Sequence, residues 1–390
     1  MEKWIHPKTK TGDAVVGESF LRRQKINDLF WSHIDKSSDV LFVAPRRVGK
    51  TSIMKDLIAT APENFYCVYR DVEGATTKNL FYKRLFEMLI ERLSKAKKNI
   101  KLFTSWISRY DIKKVGTDGI EIGRNPKDFQ KEVNELLEEV AKEGLTIIFF
   151  IDEFVEVILN LRNSKKIDDA ISILHELREI RHNDVFKNII FVFAGSIGLH
   201  NIVKEIGRPK LINDIESFRI GPLTEAEANQ LINQLTHGAT IQYNEEICNY
   251  LFQKIEYFLP YFIQLMIAEI DLISYQQEKT EINQLTVDKA FNNIIRNTSN
   301  FDDWILRLKD YLRDNFNFIN HVLKCCVFKE KVTIQEIYNI SAVYKKEDIC
   351  KDLMDSLVRD GYLREENGNY QFLSPFIKAY WQSKNPLFKC

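Results

Sequence analysis

Short apolar runs alternate with amphipathic stretches through the first half of the chain. Four runs rich in β-branched and aromatic residues predict strands, at Val40–Val43, 65–72, 145–151 and 188–194. Stretches with helical spacing lie between them, at 51–60, 80–95, 129–140 and 167–177. This alternation is typical of an α/β domain with a parallel sheet. The uninterrupted run 145–151 predicts a central strand that is covered on both faces.

The pattern changes after Ser217 and becomes helical only, up to about residue 295. Gly221-Pro222 indicates a hinge, and Thr224 with Glu227 predicts a capping box at the start of the next helix. From about residue 301, helices precede two short strands around Asn367-Gly368, a type I′ hairpin signal. We therefore expect an α/β domain at 1–220, an all-α lid domain at 221–298 and a winged helix at 299–390.

Composition narrows the class of protein. The 390 residues include 55 Lys and Arg and 55 Asp and Glu, so no net charge favours nucleic acid or an acidic membrane surface. No apolar run approaches the roughly 20 residues of a spanning helix, and the first ten residues lack the apolar core of a secretory signal. We expect a cytoplasmic protein without a membrane partner, whose six cysteines are reduced thiols.

A phosphate-binding loop is the most specific motif. The segment 44–51, A-P-R-R-V-G-K-T, follows a strand, opens a helix and matches G-x-x-x-x-G-K-[ST] except for Ala44 in the first position. Alanine is tolerated there if its φ is negative, whereas a positive φ costs about 1 kcal/mol. An incidental Lys-Thr helix start is disfavoured, because strand, glycine, lysine, hydroxyl and helix occur in the required order.

The chemistry explains this spacing. Backbone N–H groups and the helix N-terminus bind phosphate oxygens, Lys50 places a charge on the β- and γ-phosphates, and Thr51 is a magnesium ligand. The predicted nucleotide-binding residues of this segment are Pro45, Arg46, Arg47, Val48, Gly49, Lys50, Thr51 and Ser52.

Two carboxylates end the apolar strand at 145–151. The carboxyl edge of a parallel sheet is where ligands bind, so Asp152 is expected to hold magnesium and Glu153 to activate the attacking water. Ser196 follows the next strand and is predicted to sense the γ-phosphate, with a helix N-cap as the alternative role. The alternative is that Asp152 and Glu153 only cap the end of the strand at the protein surface. The candidates for an arginine finger are Arg178, Arg181 and Arg208. Each of them could instead be a surface or ion-pair residue.

The order of these motifs resembles a known family. The chain is similar to archaeal-type P-loop ATPases of the STAND/AAA+ group, which are related to origin-recognition ATPases. Five segments carry this resemblance: F-x-x-R at 20–23, A-P-R-R-V-G-K-T, Y-R-D-V-E-G at 69–74, F-F-I-D-E-F, and G-S-I-G-L at 195–199. The resemblance implies an AAA+-type parallel sheet core, an all-α lid and a C-terminal winged helix. It also implies that Phe20 and Arg23 lie near the adenine and that Pro260, where the family's G-x-P reads Phe258-Leu259-Pro260, packs near the base or ribose.

The resemblance and the motifs imply ATP and Mg²⁺ as cofactors, and no N-K-x-D segment favours GTP. The preferred hypothesis is a regulatory ATPase in which nucleotide state controls the lid and the winged helix. The alternative is an ATPase that reads DNA through its winged helix. Acidic residues on the predicted recognition helix at 346–360 favour a protein partner or self-association over DNA. A nucleotide-binding scaffold without turnover is a third hypothesis, against which Glu153 argues.

Overall fold

The computed structural model describes residues 3–12, 14–95, 109–110, 112–116, 119–123, 126–195 and 198–388. The chain divides into two compact units. The sheet unit comprises Arg23–Val43 and Ile53–Arg219, and the helical unit comprises Met1–Arg22, Ala44–Ser52 and Ile220–Cys390.

A five-stranded parallel sheet, in the order β2-β5-β6-β1-β7, forms the centre of the sheet unit. Its strands are β1 (Val40–Val43), β2 (Phe65–Asp71), β5 (Thr146–Asp152), β6 (Ile189–Ala194) and β7 (Glu216–Arg219). Every residue of β6 and all but the first of β5 are buried, as expected of central strands covered on both faces. An antiparallel hairpin is formed by β3 (Ile112–Gly116) and β4 (Gly119–Ile122).

Helices connect these strands, which confirms the α/β prediction. In chain order they are α1 (Gln24–Ile34), α2 (Lys50–Ala59), α3 (Lys78–Lys95), α4 (Phe129–Lys142), α5 (Phe154–Asn163), α6 (Ile167–Arg181) and α7 (Leu199–Glu205). Helix α2 begins in the loop segment of the helical unit and continues into the sheet unit. The apolar positions predicted for α4 are all buried, namely Phe129, Val133, Leu136, Leu137 and Val140.

The longest segment of the helical unit, Ile220–Cys390, begins with four helices, α8 (Glu225–Thr236), α9 (Glu245–Ile255), α10 (Pro260–Gln276) and α11 (Gln284–Arg296). The capping box between Thr224 and Glu227 is present. The N-terminal segment lies along these helices, because the N–H of Lys8 donates to the carbonyl of Leu235 at 2.8 Å and the N–H of Lys10 donates to Gln264 Oε1 at 2.7 Å.

The last ninety residues have the element order of a winged helix. Helices α12 (Asp302–Leu312), α13 (Phe316–Phe328), α14 (Ile334–Tyr344), α15 (Glu347–Arg359) and α16 (Pro375–Lys384) accompany a small sheet of β8 (Val332–Thr333), β10 (Asn369–Phe372) and β9 (Leu363–Glu366). Asn367 and Gly368 have φ values of 52° and 77°, which are the two positive values that a type I′ turn requires. The predicted hairpin is therefore confirmed.

Within the described ranges, no helix is long and apolar enough to cross a membrane. Four buried cysteines are free thiols, namely Cys67, Cys248, Cys326 and Cys350. Cys325 is disulfide-bonded, so the expectation that every cysteine is reduced was wrong for this residue.

Candidate nucleotide-binding site

Two of the predicted motifs directly follow strands of the parallel sheet. Strands β1 and β5 run in the same direction in one parallel sheet, so their carboxyl ends lie at the same edge. Asp152 is the last residue of β5, and the chain leaves β1 at Val43 directly into the loop 44–49. The carboxyl edge of an open α/β sheet is the usual place for a ligand.

Backbone geometry explains the glycine of the loop. Gly49 has a φ of 94°, and a Cβ added there would meet its nearest neighbour, Ser52 Cβ, only at 3.9 Å. The need for glycine therefore comes from the backbone conformation and not from lack of space. Arg47 has a φ of 65°, which costs a residue with a side chain roughly 1 kcal/mol. Ala44 has no positive φ, so the missing first glycine is tolerated.

Lys50 is the first residue of α2, and its side chain folds back over the loop. The residue is only 8% exposed, and Nζ lies 3.4 Å from the carbonyl oxygens of both Ala44 and Pro45. Both distances exceed the usual 2.7–3.2 Å range for N–H···O hydrogen bonds. The ammonium group thus lies close to the loop backbone whose N–H groups were predicted to bind phosphate.

The two loop arginines contact C-terminal residues of the helical unit. Arg46 Nη2 donates to Asp303 Oδ2 at 2.8 Å, while its Nε and Nη1 are buried without a hydrogen-bond partner. Arg47 Nη2 lies 3.9 Å from the same oxygen, and its guanidinium sits 4.4 Å from the ring centre of Tyr261. Burial, followed by the charges of Arg307 and Arg47, lowers the pKa of Arg46. Two positively charged side chains of the loop therefore lie near one carboxylate.

Backbone packing adds a further contact to the loop. A Cβ added at Gly361 would come within 2.7 Å of Pro45 Cβ, and Gly361 has a φ of 79°. Glycine is required there both for the approach and for the backbone conformation.

Asp152 is 2% exposed, and hydrogen bonds reach both of its carboxylate oxygens. Oδ1 accepts the N–H of Glu153 at 3.0 Å, and Oδ2 accepts the hydroxyl of Tyr69 at 3.1 Å. Glu153 itself has left-handed φ and ψ values of 54° and 30° and stands at the N-cap of α5. Such a conformation is uncommon for a residue with a side chain and occurs preferentially at functional sites.

The end of β6 approaches the same helix closely. A Cβ added at Gly195 would lie 2.3 Å from Val155 Cγ2, so only glycine permits this contact. Ser196, the predicted γ-phosphate sensor, lies outside the described residues.

The oxygen-bearing side chains near the ends of β1 and β5 are of the kind that can bind Mg²⁺. No group of three His, Cys, Asp or Glu suited to a metal occurs among the described residues. Mg²⁺ instead favours one or two protein oxygens together with phosphate and water. The buried carboxylate of Asp152 and the half-buried hydroxyl residue Thr51 are oxygen donors of this type. The residue types therefore fit Mg²⁺.

Other predicted residues have these positions. Ser52 is buried, and its Oγ accepts the N–H of Val15 at 2.8 Å. The carbonyl of Phe20 accepts a hydrogen bond from Gln234 Nε2 at 3.0 Å. Arg23 stands at the N-cap of α1, and Pro260 is the first residue of α10. Val48 is 2% exposed.

Two arginine-finger candidates lie at the opposite edge of the sheet. Arg181 Nε is 2.7 Å from Asp214 Oδ2 and 3.9 Å from Asp39 Oδ2, and Asp39 directly precedes β1. Arg178 Nη1 also contacts Asp214, at 2.5 Å. These arginines therefore lie at the amino edge of the sheet, away from Asp152. Arg208 is exposed and donates to the carbonyl of Gly207.

Three residues of these contacts were missed by sequence reasoning, namely Tyr69, Tyr261 and Asp303. Tyr69 occurs in a segment that carries the family resemblance, and Tyr261 directly follows Pro260, but no local pattern gives their partners. Nothing in the sequence distinguishes Asp303 from the other acids of the C-terminal segment.

Comparisons with known proteins agree with this architecture. No protein-family model matches the chain, and no curated protein matches it. Among solved structures, the Walker-type ATPase PABY2304 of Pyrococcus abyssi matches with a TM-score of 0.63 at 15% identity, over 97% of this chain and 99% of that one. The ORC2 protein of Aeropyrum pernix, solved in ADPNP–ADP complexes, matches with a TM-score of 0.53 at 11% identity, over 93% of each chain.

Identities this low establish the fold alone. The match to the Pyrococcus abyssi structure covers nearly the whole chain. The protein thus has the fold of the AAA+ P-loop ATPases, in the form found in an archaeal Walker-type ATPase and an origin-recognition protein.

Proposed function

We propose that this protein is a Mg²⁺-dependent ATPase that acts as a regulatory switch, in which bound nucleotide controls the lid and winged-helix segments. The domains of the switch are 1–220, 221–298 and 299–390. The proposal rests on the loop geometry, on the acids at the end of β5 and above all on the contacts between the loop arginines and Asp303.

The loop supplies the means to bind a triphosphate. The conformation at Gly49 and the start of α2 at Lys50 provide backbone N–H groups and the positive end of a helix for phosphate oxygens. The Lys50 ammonium exchanges the carbonyls of Ala44 and Pro45 for the β- and γ-phosphates. Phe20, Arg23 and Pro260 contribute to the pocket for the base and ribose.

The acids provide the hydrolytic chemistry. Asp152 and Thr51 hold Mg²⁺, which when bound neutralises charge on the phosphates. Glu153 accepts a proton from the attacking water, and Ser196 contacts the γ-phosphate. The strained backbone at Glu153 supports this role, since it fixes where the carboxylate leaves the main chain.

The coupling to the C-terminal segment follows from charge. Arg46 and Arg47 lie in the loop and contact the single carboxylate of Asp303 on α12. A triphosphate brings several negative charges to the same loop and competes with Asp303 for the guanidinium groups. Nucleotide binding therefore weakens the contact that holds α12 against the loop, which is the differential interaction that a ligand-driven switch needs.

DNA reading through α15 is not favoured. Its exposed residues include Asp348, Asp352 and Arg359, and Lys351 is paired with Asp355 at 2.8 Å. Acidic side chains on this face would oppose contact with DNA phosphates. A protein partner or a second copy of the chain fits the mixed charge better.

Limited proteolysis tests the switch. Cleavage near Pro222 and within residues 297–301 should change when ATP and Mg²⁺ are added together, and not with Mg²⁺ alone. In Asp303→Ala the nucleotide-free pattern should already resemble the ATP-bound pattern of the wild-type protein. Identical patterns for wild-type protein with and without ATP would contradict the proposal.

A further inference from the structure

The register of two neighbouring strands places a tyrosine beside the acid that ends β5. Asp71 of β2 is the partner of Asp152, and Tyr69 is the partner of Phe150. Tyr69 is therefore two residues before the partner of Asp152, so the two residues are diagonal neighbours on adjacent strands. An aromatic side chain is long enough to reach a diagonal neighbour. Its hydroxyl reaches Asp152 Oδ2 at 3.1 Å.

Two donors approach different oxygens of the same carboxylate. The main chain supplies one donor, the N–H of Glu153 at 3.0 Å from Oδ1. Tyr69 supplies the other from a different strand. Together they fix the rotation of the carboxylate plane about the Cβ–Cγ bond.

The surroundings of Tyr69 limit where its hydroxyl can lie. The side chain is half-buried, and Lys55 of α2 places its ammonium 5.7 Å from the centre of the ring. The hydroxyl is thus confined by the sheet, by α2 and by the carboxylate to which it donates.

We propose that Tyr69 is a positioning residue for the divalent cation, because it orients the Asp152 carboxylate toward Mg²⁺ in the nucleotide complex. This inference rests on the proposed function. Residues that orient metal ligands typically change metal affinity by about 10–100-fold when they are lost. A tyrosine that merely fills the core would change stability and leave the response to Mg²⁺ unaltered.

The chain offers a matched control. Tyr82 of α3 is buried and also donates its hydroxyl to a carboxylate, Glu176 Oε2, at 2.6 Å. This pair joins α3 to α6 and lies outside the proposed site. Tyr82→Phe removes the same kind of hydrogen bond as Tyr69→Phe, so a general effect of losing a tyrosine–carboxylate contact would appear in both variants.

The test is a Mg²⁺ titration at fixed, saturating ATP, with the melting temperature as the readout. Each variant is compared with its own value in ATP and EDTA, which removes differences in basal stability. For Tyr69→Phe we expect the Mg²⁺ concentration at half-maximal stabilisation to rise about tenfold. The value for Tyr82→Phe should equal that of the wild-type protein, and ATP binding in EDTA should be the same in all three proteins.

The outcomes separate the two proposals. If the wild-type protein responds to Mg²⁺ with ATP and Tyr69→Phe gives the same half-maximal concentration, the positioning role is overturned and the proposed function stands. An equal rise in Tyr69→Phe and Tyr82→Phe also overturns it. If the wild-type protein shows no stabilisation by ATP with Mg²⁺, both proposals fail.

Discussion

Arg46 and Asp303 are separated by 257 residues in sequence, yet Nη2 of the arginine lies 2.8 Å from Oδ2 of the aspartate. The same oxygen is 3.9 Å from Nη2 of Arg47. Two guanidinium groups of the phosphate-binding loop thus share one carboxylate, and buried N–H groups of both remain without a hydrogen-bond partner. An arginine pair in this state is suited to donate hydrogen bonds to phosphate oxygens.

We expect Asp303→Ala to bind ATP more tightly than the wild-type protein. The change removes a carboxylate that competes with phosphate for Arg46 and Arg47, and coupling between sites typically amounts to about 5–150-fold in affinity. The Kd for ATP, measured by calorimetry, should therefore fall at least about fivefold.

Asp314→Ala is the matched control, because Asp314 is an exposed acid just beyond the end of α12. It should leave the Kd unchanged. Unchanged or weaker ATP binding by Asp303→Ala would show that this carboxylate does not compete with the nucleotide.

Glu153→Gln should bind ATP and fail to hydrolyse it. Loss of a general base typically lowers the rate by about 10²–10⁴-fold, while an amide of the same size preserves the contacts of the loop. Single-turnover hydrolysis and the nucleotide retained after gel filtration measure the two properties. The control is Glu156→Gln, in the first turn of the same helix. Hydrolysis by Glu153→Gln at the wild-type rate would remove this residue from the chemistry.

Asp39 should make stability depend on pH. Burial raises its pKa to about 7, opposed by the N–H of Phe191 and the charge of Arg181, whereas in the unfolded chain its pKa is near 3.8. The folded state therefore holds an extra proton between about pH 4 and pH 7, and stability falls as pH rises through that window, by up to about 1.4 kcal/mol per pH unit.

Asp39→Asn removes this titration and keeps an oxygen that can accept from Phe191. Denaturant unfolding from pH 5 to pH 8 should show that the stability difference between this variant and the wild-type protein shifts in favour of the variant as pH rises. Parallel profiles for the two proteins would show that Asp39 keeps an ordinary pKa in the fold.

Local patterns were sufficient for much of the fold. β1 and β5 are short apolar runs, and the turn at Asn367-Gly368 is encoded in a dipeptide, so each could be predicted without knowledge of its partners. Strand β7 was missed because only Phe218 of its four residues is buried, as expected of an edge strand with polar positions. The order of the strands depends on long-range packing, which periodicity does not reveal.

The site was predicted in the same uneven way. Asp152 and Lys50 occur at fixed offsets from a strand and a helix, so the sequence identified them. The partners of Asp152 and Arg46 come from another strand and from a distant helix. The positive φ of Arg47 was also unpredicted, since no sequence rule assigns a left-handed conformation to an arginine.

Duplex DNA should bind weakly if at all. The charges on α15 are mixed, and Lys351 is engaged by Asp355. A salt titration of binding to duplex should lack the steep slope of about 0.9 per phosphate contact that DNA-binding proteins show. Tight binding with a slope of several units would support the DNA-reading alternative.

The most direct test of the central claim is the thermal stabilisation of wild-type protein and Lys50→Ala by ATP with Mg²⁺. A ligand that binds only the folded state at 100 times its Kd stabilises it by about 2.7 kcal/mol, which gives a readily measured rise in melting temperature. We predict this rise for the wild-type protein and its loss in Lys50→Ala. Equal stabilisation of the two proteins would contradict the assignment of the phosphate-binding loop.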